Sequence, residues 1–155
     1  MARPVLSICS GVHFVEAGGR RFESVRGLGA LGVAAEHQYY AGLQDGRLSR
    51  NVTLLGGLAF KLAEQHGLDS IVTFAADGFD GHIDHMATYL AGRYAELPHY
   101  VRSASATDYA FEGDPQMKMA AMAEHASQYD LAAPDFWNGM DLYRDQLGVE
   151  YYQPV

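Results

Sequence analysis

Apolar positions along this chain switch between a short period and a helical one, and the switches predict alternating strands and helices. Residues 4 to 10 form a short apolar run with β-branched members, closed by Ser10-Gly11, and read as a buried strand. From residue 20 to 31 the apolar positions Phe22, Val25, Leu28 and Leu31 recur at helical spacing, with Gly32 placed to end the helix. Glycines 27 and 29 weaken that helix, each by roughly 1 kcal/mol relative to alanine. Residues 37 to 43 are a second strand candidate, stopped by the turn dipeptide Asp45-Gly46. A stronger helix is predicted over residues 54 to 66, with Leu55, Leu58, Ala59, Leu62 and Ala63 on one face and Gly67 as its stop.

The clearest buried strand is 70 to 75, followed by a helix over 84 to 94 and another strand over 98 to 103. Asp114 followed by Pro115 is a helix start, an N-cap carboxylate before proline at the first helical position. That helix is expected to run through Met117, Ala120, Ala121 and Glu124 towards Gln128. The tail carries Phe136, Trp137, Tyr143, Tyr151 and Tyr152, with a short helix expected near Asp141. Strands alternating with helices imply βαβ units, hence an α/β fold with a parallel sheet covered on both faces. Ligands of such sheets sit beyond the carboxyl ends of the strands. No repeat or linker interrupts the pattern, so one domain is expected over residues 1–155.

Composition narrows the classes of function. The chain has 155 residues, 48% hydrophobic and 19% charged, in the range of globular proteins. A net charge of −8 repels phosphate backbones, and the densest basic run is only Arg20-Arg21 with Arg26 nearby, so nucleic acid is not an expected partner. One cysteine, Cys9, excludes an internal disulfide and suits a reducing compartment. No stretch reaches the roughly 18 apolar residues of a membrane span. The opening residues carry too short an apolar run for a signal peptide, and a cytoplasmic location is expected.

Candidate chemistry concentrates in Gly81-His82-Ile83-Asp84-His85, at the carboxyl end of the 70 to 75 strand. A separation of three residues puts His82 and His85 on one side of a first helical turn. One imidazole then suits a metal and the other a substrate, with Asp84 orienting a ring by accepting its second N–H. Helix capping by Asp84, with the histidines as surface polar groups, is equally compatible with the string.

Asp77-Gly78-Phe79-Asp80-Gly81-His82-Ile83-Asp84-His85, preceded by Val72-Thr73-Phe74, resembles the GHxDH segment of the PIG-L/LmbE zinc-dependent N-deacetylases. Three further stretches agree in order. Arg20-Arg21-Phe22-Glu23 with Leu31-Gly32-Val33 resembles the family's R-x-x-E helix ending in LGV. Residues 42 to 48, Gly-Leu-Gln-Asp-Gly-Arg-Leu, resemble its G-L-x-D-G-x-L segment. Lys118, Ala121, His125, Ser127 and Gln128 resemble its late K-x-x-A-x-x-x-H-x-S-Q helix. The resemblance implies a Rossmann-like three-layer domain with a mostly parallel sheet, and hydrolysis of an N-acetyl group from an N-acetylglucosamine-type or related amide. Such chemistry uses a zinc ion with an open coordination position.

Carried over by position, His85 resembles the zinc ligand, His82 the group that stabilises the oxyanion, and Asp84 the residue supporting it. Arg20 and Asp45 match positions resembling contacts to the sugar; an ion pair of Arg20 with Glu23, and the Asp-Gly turn itself, are the structural alternatives. The family's opening H-P-D-D strand, which supplies two zinc ligands and the general base, has no counterpart here. Cys9-Ser10-Gly11 stands where the second strand's turn would be, so the family's first strand is expected to be missing and the domain incomplete at its N-terminal side. His13 and Glu16 have an H-x-x-E spacing that superficially resembles replacement ligands. His125 is read as organising the fold or the site rim, and His37, His66 and His99 as isolated surface side chains. Three readings follow: an incomplete deacetylase, a non-catalytic sugar- or ligand-binding module, or an oligomerising protein whose exposed sheet edge is covered by a second copy or partner chain.

Overall fold

A computed structural model describes residues 18–44, 46–78, 81–103, 105–126 and 148–155. The described residues form a mixed α/β structure with four α-helices and four strands. In chain order these are α1 (Gly18–Ala30), α2 (Val52–His66), β1 (Ile71–Thr73), α3 (Ile83–Tyr94), β2 (His99–Ser103), β3 (Tyr109–Glu112), α4 (Pro115–Ala123) and β4 (Val149–Pro154). Single 3-10 turns occur at Ala35–His37 and Leu48–Arg50. The sheet order is β1-β2-β4-β3.

β1 and β2 are parallel, with Ile71 opposite His99 and Thr73 opposite Val101, and α3 is the crossover between them. This is the βαβ unit that the periodicity predicts. β2 and β4 are antiparallel, Tyr100 facing Pro154 and Ser103 facing Tyr151. The sheet is therefore mixed, and the expectation of a mostly parallel sheet is corrected. Its source is the strand Val149–Pro154, which no apolar alternation announces: four of its residues are half-buried and the last two exposed. Tyr109–Glu112 was missed for the same reason, since all four of its residues are exposed.

By internal packing the residues fall into two compact units, one from 40–109 with 151–155, the other from the described residues of 14–39 and 110–150. In the first, Ile71 is 1% exposed and packs with Ala59 and Ala95, with Leu97 against them. Full burial of a side chain such as isoleucine stabilises by about 1.5–3 kcal/mol. Helix α2 packs on α3, and its buried residues are Leu55, Gly56, Ala59 and Ala63. Leu58, expected on that face, is 37% exposed, and the close approach falls on Gly56 instead. The helix stops at Gly67, whose φ of 62° is a left-handed conformation that glycine adopts without a Cβ penalty. Leu68 N–H closes the cap on the Ala63 carbonyl at 2.9 Å.

In the second unit α1 packs on α4. Gly27 makes the contact, because a Cβ there would meet His125 Nε2 at 2.7 Å and the Ala121 carbonyl at 3.1 Å. The His125 ring therefore lies against α1 at Gly27. α1 ends as expected, the Val33 amide reaching back to the Leu28 carbonyl at 2.9 Å. Helix α4 starts where Asp114-Pro115 predicts, the carboxylate accepting from Gln116 and Met117. It ends at Ala123, short of Gln128, in turns that bond Glu124 and His125 to carbonyls three residues back. Residues 37 to 43 form no strand: the Gln38 amide instead donates to the carbonyl of Val33, just past the end of α1, and to that of Val25 within the helix. The predicted strand over 4 to 10 and the helix near Asp141 lie outside the described residues.

Candidate functional site

The turn that follows β1 runs into α3 through Gly78 and Gly81, with His82 capping the helix and His85 in its first turn. Gly78 has φ 72°, and a Cβ on it would sit 2.9 Å from the His82 carbonyl and 3.2 Å from His85 Cβ. Only glycine lets the turn lie this close to the helix start. The closeness places the Gly78 carbonyl 3.2 Å from His85 Nδ1. A carbonyl can only accept, so Nδ1 carries a proton, and the neutral ring has its lone pair on Nε2.

His82 is the N-cap of α3, and its Nδ1 accepts from the Asp84 amide at 3.3 Å. An imidazole nitrogen that accepts a hydrogen bond is unprotonated, so neutral His82 carries its proton on Nε2. The two rings, 4.8 Å apart with a 43° tilt, are therefore set in opposite tautomers. In the neutral rings one has its N–H on Nε2 and the other its lone pair there. His85 also stacks on Phe74, the residue that leaves β1, with ring centroids 3.9 Å apart and planes 9° from parallel. Stacking fixes the ring's plane and the Gly78 bond fixes its rotation within that plane. The Thr88 hydroxyl, fully buried, donates to the His85 carbonyl at 2.7 Å and ties the same turn into the helix.

Asp84 is 3% exposed, and its two carboxylate oxygens accept from the amides of Gly46 (2.5 Å) and Leu48 (3.0 Å). From the sequence this carboxylate suits either orienting an imidazole or capping the helix. Its observed task is to pin the 46–48 turn, and with it the fully buried Leu48, against the start of α3. Asp45, the adjoining candidate, lies outside the described residues, as do His13 and Glu16. Arg20 falls in the first turn of α1, in the other compact unit.

His99, expected at the surface, is buried, 6% exposed. Its Nε2 lies 2.6 Å from Thr73 Oγ1, and its ring lies 5.5 Å from that of Tyr89. Burial, followed by the Arg93 guanidinium, holds its pKa below the ordinary imidazole value. The signal for this was present in the strand His99–Ser103, where period two puts His99 on the same buried side as Val101 and Ser103.

Among the described residues no group of three or more His, Cys, Asp or Glu side chains is placed to hold a metal ion. Catalytic zinc normally uses three protein ligands, so His85 and its neighbours do not by themselves fit the ion that the family resemblance implies. No described helix is long and apolar enough to cross a membrane. Compared with known proteins, the chain matches no family model, no curated protein and no solved structure.

Proposed function

We propose that this chain carries the histidine half of an N-deacetylase site of the PIG-L/LmbE kind, on a Rossmann-like crossover, acting in the cytoplasm on an N-acetylated amino sugar or related amide. The observation that carries the reading is the pair of imidazoles locked in opposite tautomers beyond the carboxyl end of β1. The division of labour suits hydrolysis of an amide. His82 presents an Nε2–H donor, able to stabilise negative charge developing on a carbonyl oxygen. His85 presents the lone pair that a zinc ligand needs, its other nitrogen anchored on a backbone carbonyl as is usual for metal-bound histidine. The remaining ligands and the general base then come from outside the described residues. Elemental analysis of purified protein tests this: about one zinc per chain, lost in His85→Ala, is expected, together with acetate release from an N-acetylglucosamine derivative. Wild-type protein without zinc refutes the reading.

The lack of a three-ligand group among the described residues favours one second reading, a ligand-binding module using the same imidazole pair without metal. Binding of an amino sugar that persists in a chelator, by protein free of zinc, is its expected outcome. Affinity abolished by the chelator refutes it.

A further inference from the structure

His99 has no part in the reading above, yet a chain of contacts leads from it to His85. The Thr73 hydroxyl has one proton, and it donates to the Phe74 carbonyl at 2.9 Å. It must then accept from His99 Nε2 at 2.6 Å, which puts the ring proton on Nε2 and leaves a buried Nδ1 without a hydrogen-bond partner. The alternative, a proton on Nδ1, would strand a buried N–H, the costlier orphan. The chain continues without a gap, since the Phe74 whose carbonyl is held supplies the ring on which His85 stacks. The fit around His99 is close. A Cβ on Gly92 would meet its Nε2 at 2.7 Å and the Thr73 methyl at 3.0 Å, so α3 has room for the buried imidazole only because that position is glycine.

We infer that His99 and Thr73 are positioning residues for the candidate site, holding the exit of β1 so that Phe74 clamps His85 with its lone pair on Nε2. The inference rests on His85 being the lone-pair imidazole of the site. It does not depend on which ion or substrate meets it.

The test is the tautomer of His85, read from its ring nitrogen resonances by NMR at pH 8 in wild type and in four variants. Wild type should show the proton on Nδ1. Thr73→Val and His99→Phe, each removing one link, should shift the His85 resonances towards a mixture of tautomers. Thr73→Ser keeps the hydroxyl and His99→Gln keeps a donor at the place of Nε2, and both should restore the wild-type pattern. A variant that merely loosens the fold would not sort by whether the donor is kept. If His99→Phe does not fold, the Thr73→Val and Thr73→Ser pair decides alone. His85 unchanged in folded Thr73→Val overturns the inference, as does wild type with its proton on Nε2. Zinc content is read separately, so a metal-free protein with the expected tautomers would refute the deacetylase reading and leave this one standing.

Discussion

Gly56 and Gly57 are adjacent in α2, and alanine should have opposite effects at the two positions. A Cβ at Gly56 would lie 2.5 Å from Tyr94 Cβ, 2.8 Å from the Ala91 carbonyl and 3.2 Å from the Tyr94 carbonyl carbon. Two of these are backbone atoms of the facing helix and the third is bonded to it, so no rotamer change relieves the clash and α2 must move away from α3. Overpacking of this kind costs about 1–3 kcal/mol, of which the better helix propensity of alanine offsets about 1 kcal/mol. The contacts at Gly56 are at the severe end, so a net loss of about 1–2 kcal/mol is expected. At Gly57 nothing among the described residues lies within 4 Å of the added Cβ, and only the propensity gain of about 0.4–1 kcal/mol remains. The two variants should thus differ by roughly 2 kcal/mol. Urea unfolding followed by circular dichroism should separate their midpoints by on the order of 1 M without changing the slope. Gly56→Ala as stable as Gly57→Ala would refute the close helix contact.

Three other outcomes are expected. Asp84→Asn replaces one accepting oxygen by an amide that donates, so a backbone N–H of Gly46 or Leu48 loses its partner; the loss should be about 1–3 kcal/mol, with faster amide exchange at those two residues. His99 has a folded pKa below its unfolded one, so the unfolded state takes up the proton first. Stability should fall as pH drops from about 6.5 towards the lower folded value and level off beneath it, and His99→Gln should remove that part of the pH dependence in urea titrations. Asp114→Ala removes the acceptor for the Gln116 and Met117 amides and should cost about 1 kcal/mol, seen as lost helical signal and a lower midpoint; an unchanged midpoint would mean the cap does not form.

The helices and the parallel strand pair were legible because local patterning decides them. Apolar spacing marked α1 and α2, the Asp114-Pro115 pair marked α4, the runs around Ile71 and Val101 marked β1 and β2, and α3 was expected between those two strands. β4 was not legible, because its register with β2 joins residues about fifty positions apart and its half-buried residues show no alternation. Residues 37 to 43 misled because their tyrosines favour strands, while the Gln38 amide supplies a competing local set of bonds. At the site, the string around His82 and His85 pointed to the right turn of helix. What it did not reveal was that the Gly78 carbonyl sets one tautomer, or which amides Asp84 would accept from, nearly forty residues earlier in the chain. His99 was missed by treating each histidine as isolated, when its strand periodicity already assigned it to the interior.

Where α2 meets α3, Gly56 lies against the Ala91 carbonyl and the backbone of Tyr94, and the other buried residues of the two helices include Ala59, Ala63, Ala87 and Ala91. Such residues have no side-chain torsions to turn, so a seam built from them has little mechanical give. A leucine-lined seam absorbs a small displacement by changing rotamers where it occurs. Here a displacement of one helix has to be passed on whole, as motion of a rigid rod. Since α3 is capped by His82 and carries His85 in its first turn, the stillness of the imidazole pair is borrowed from the fifteen-residue helix behind it.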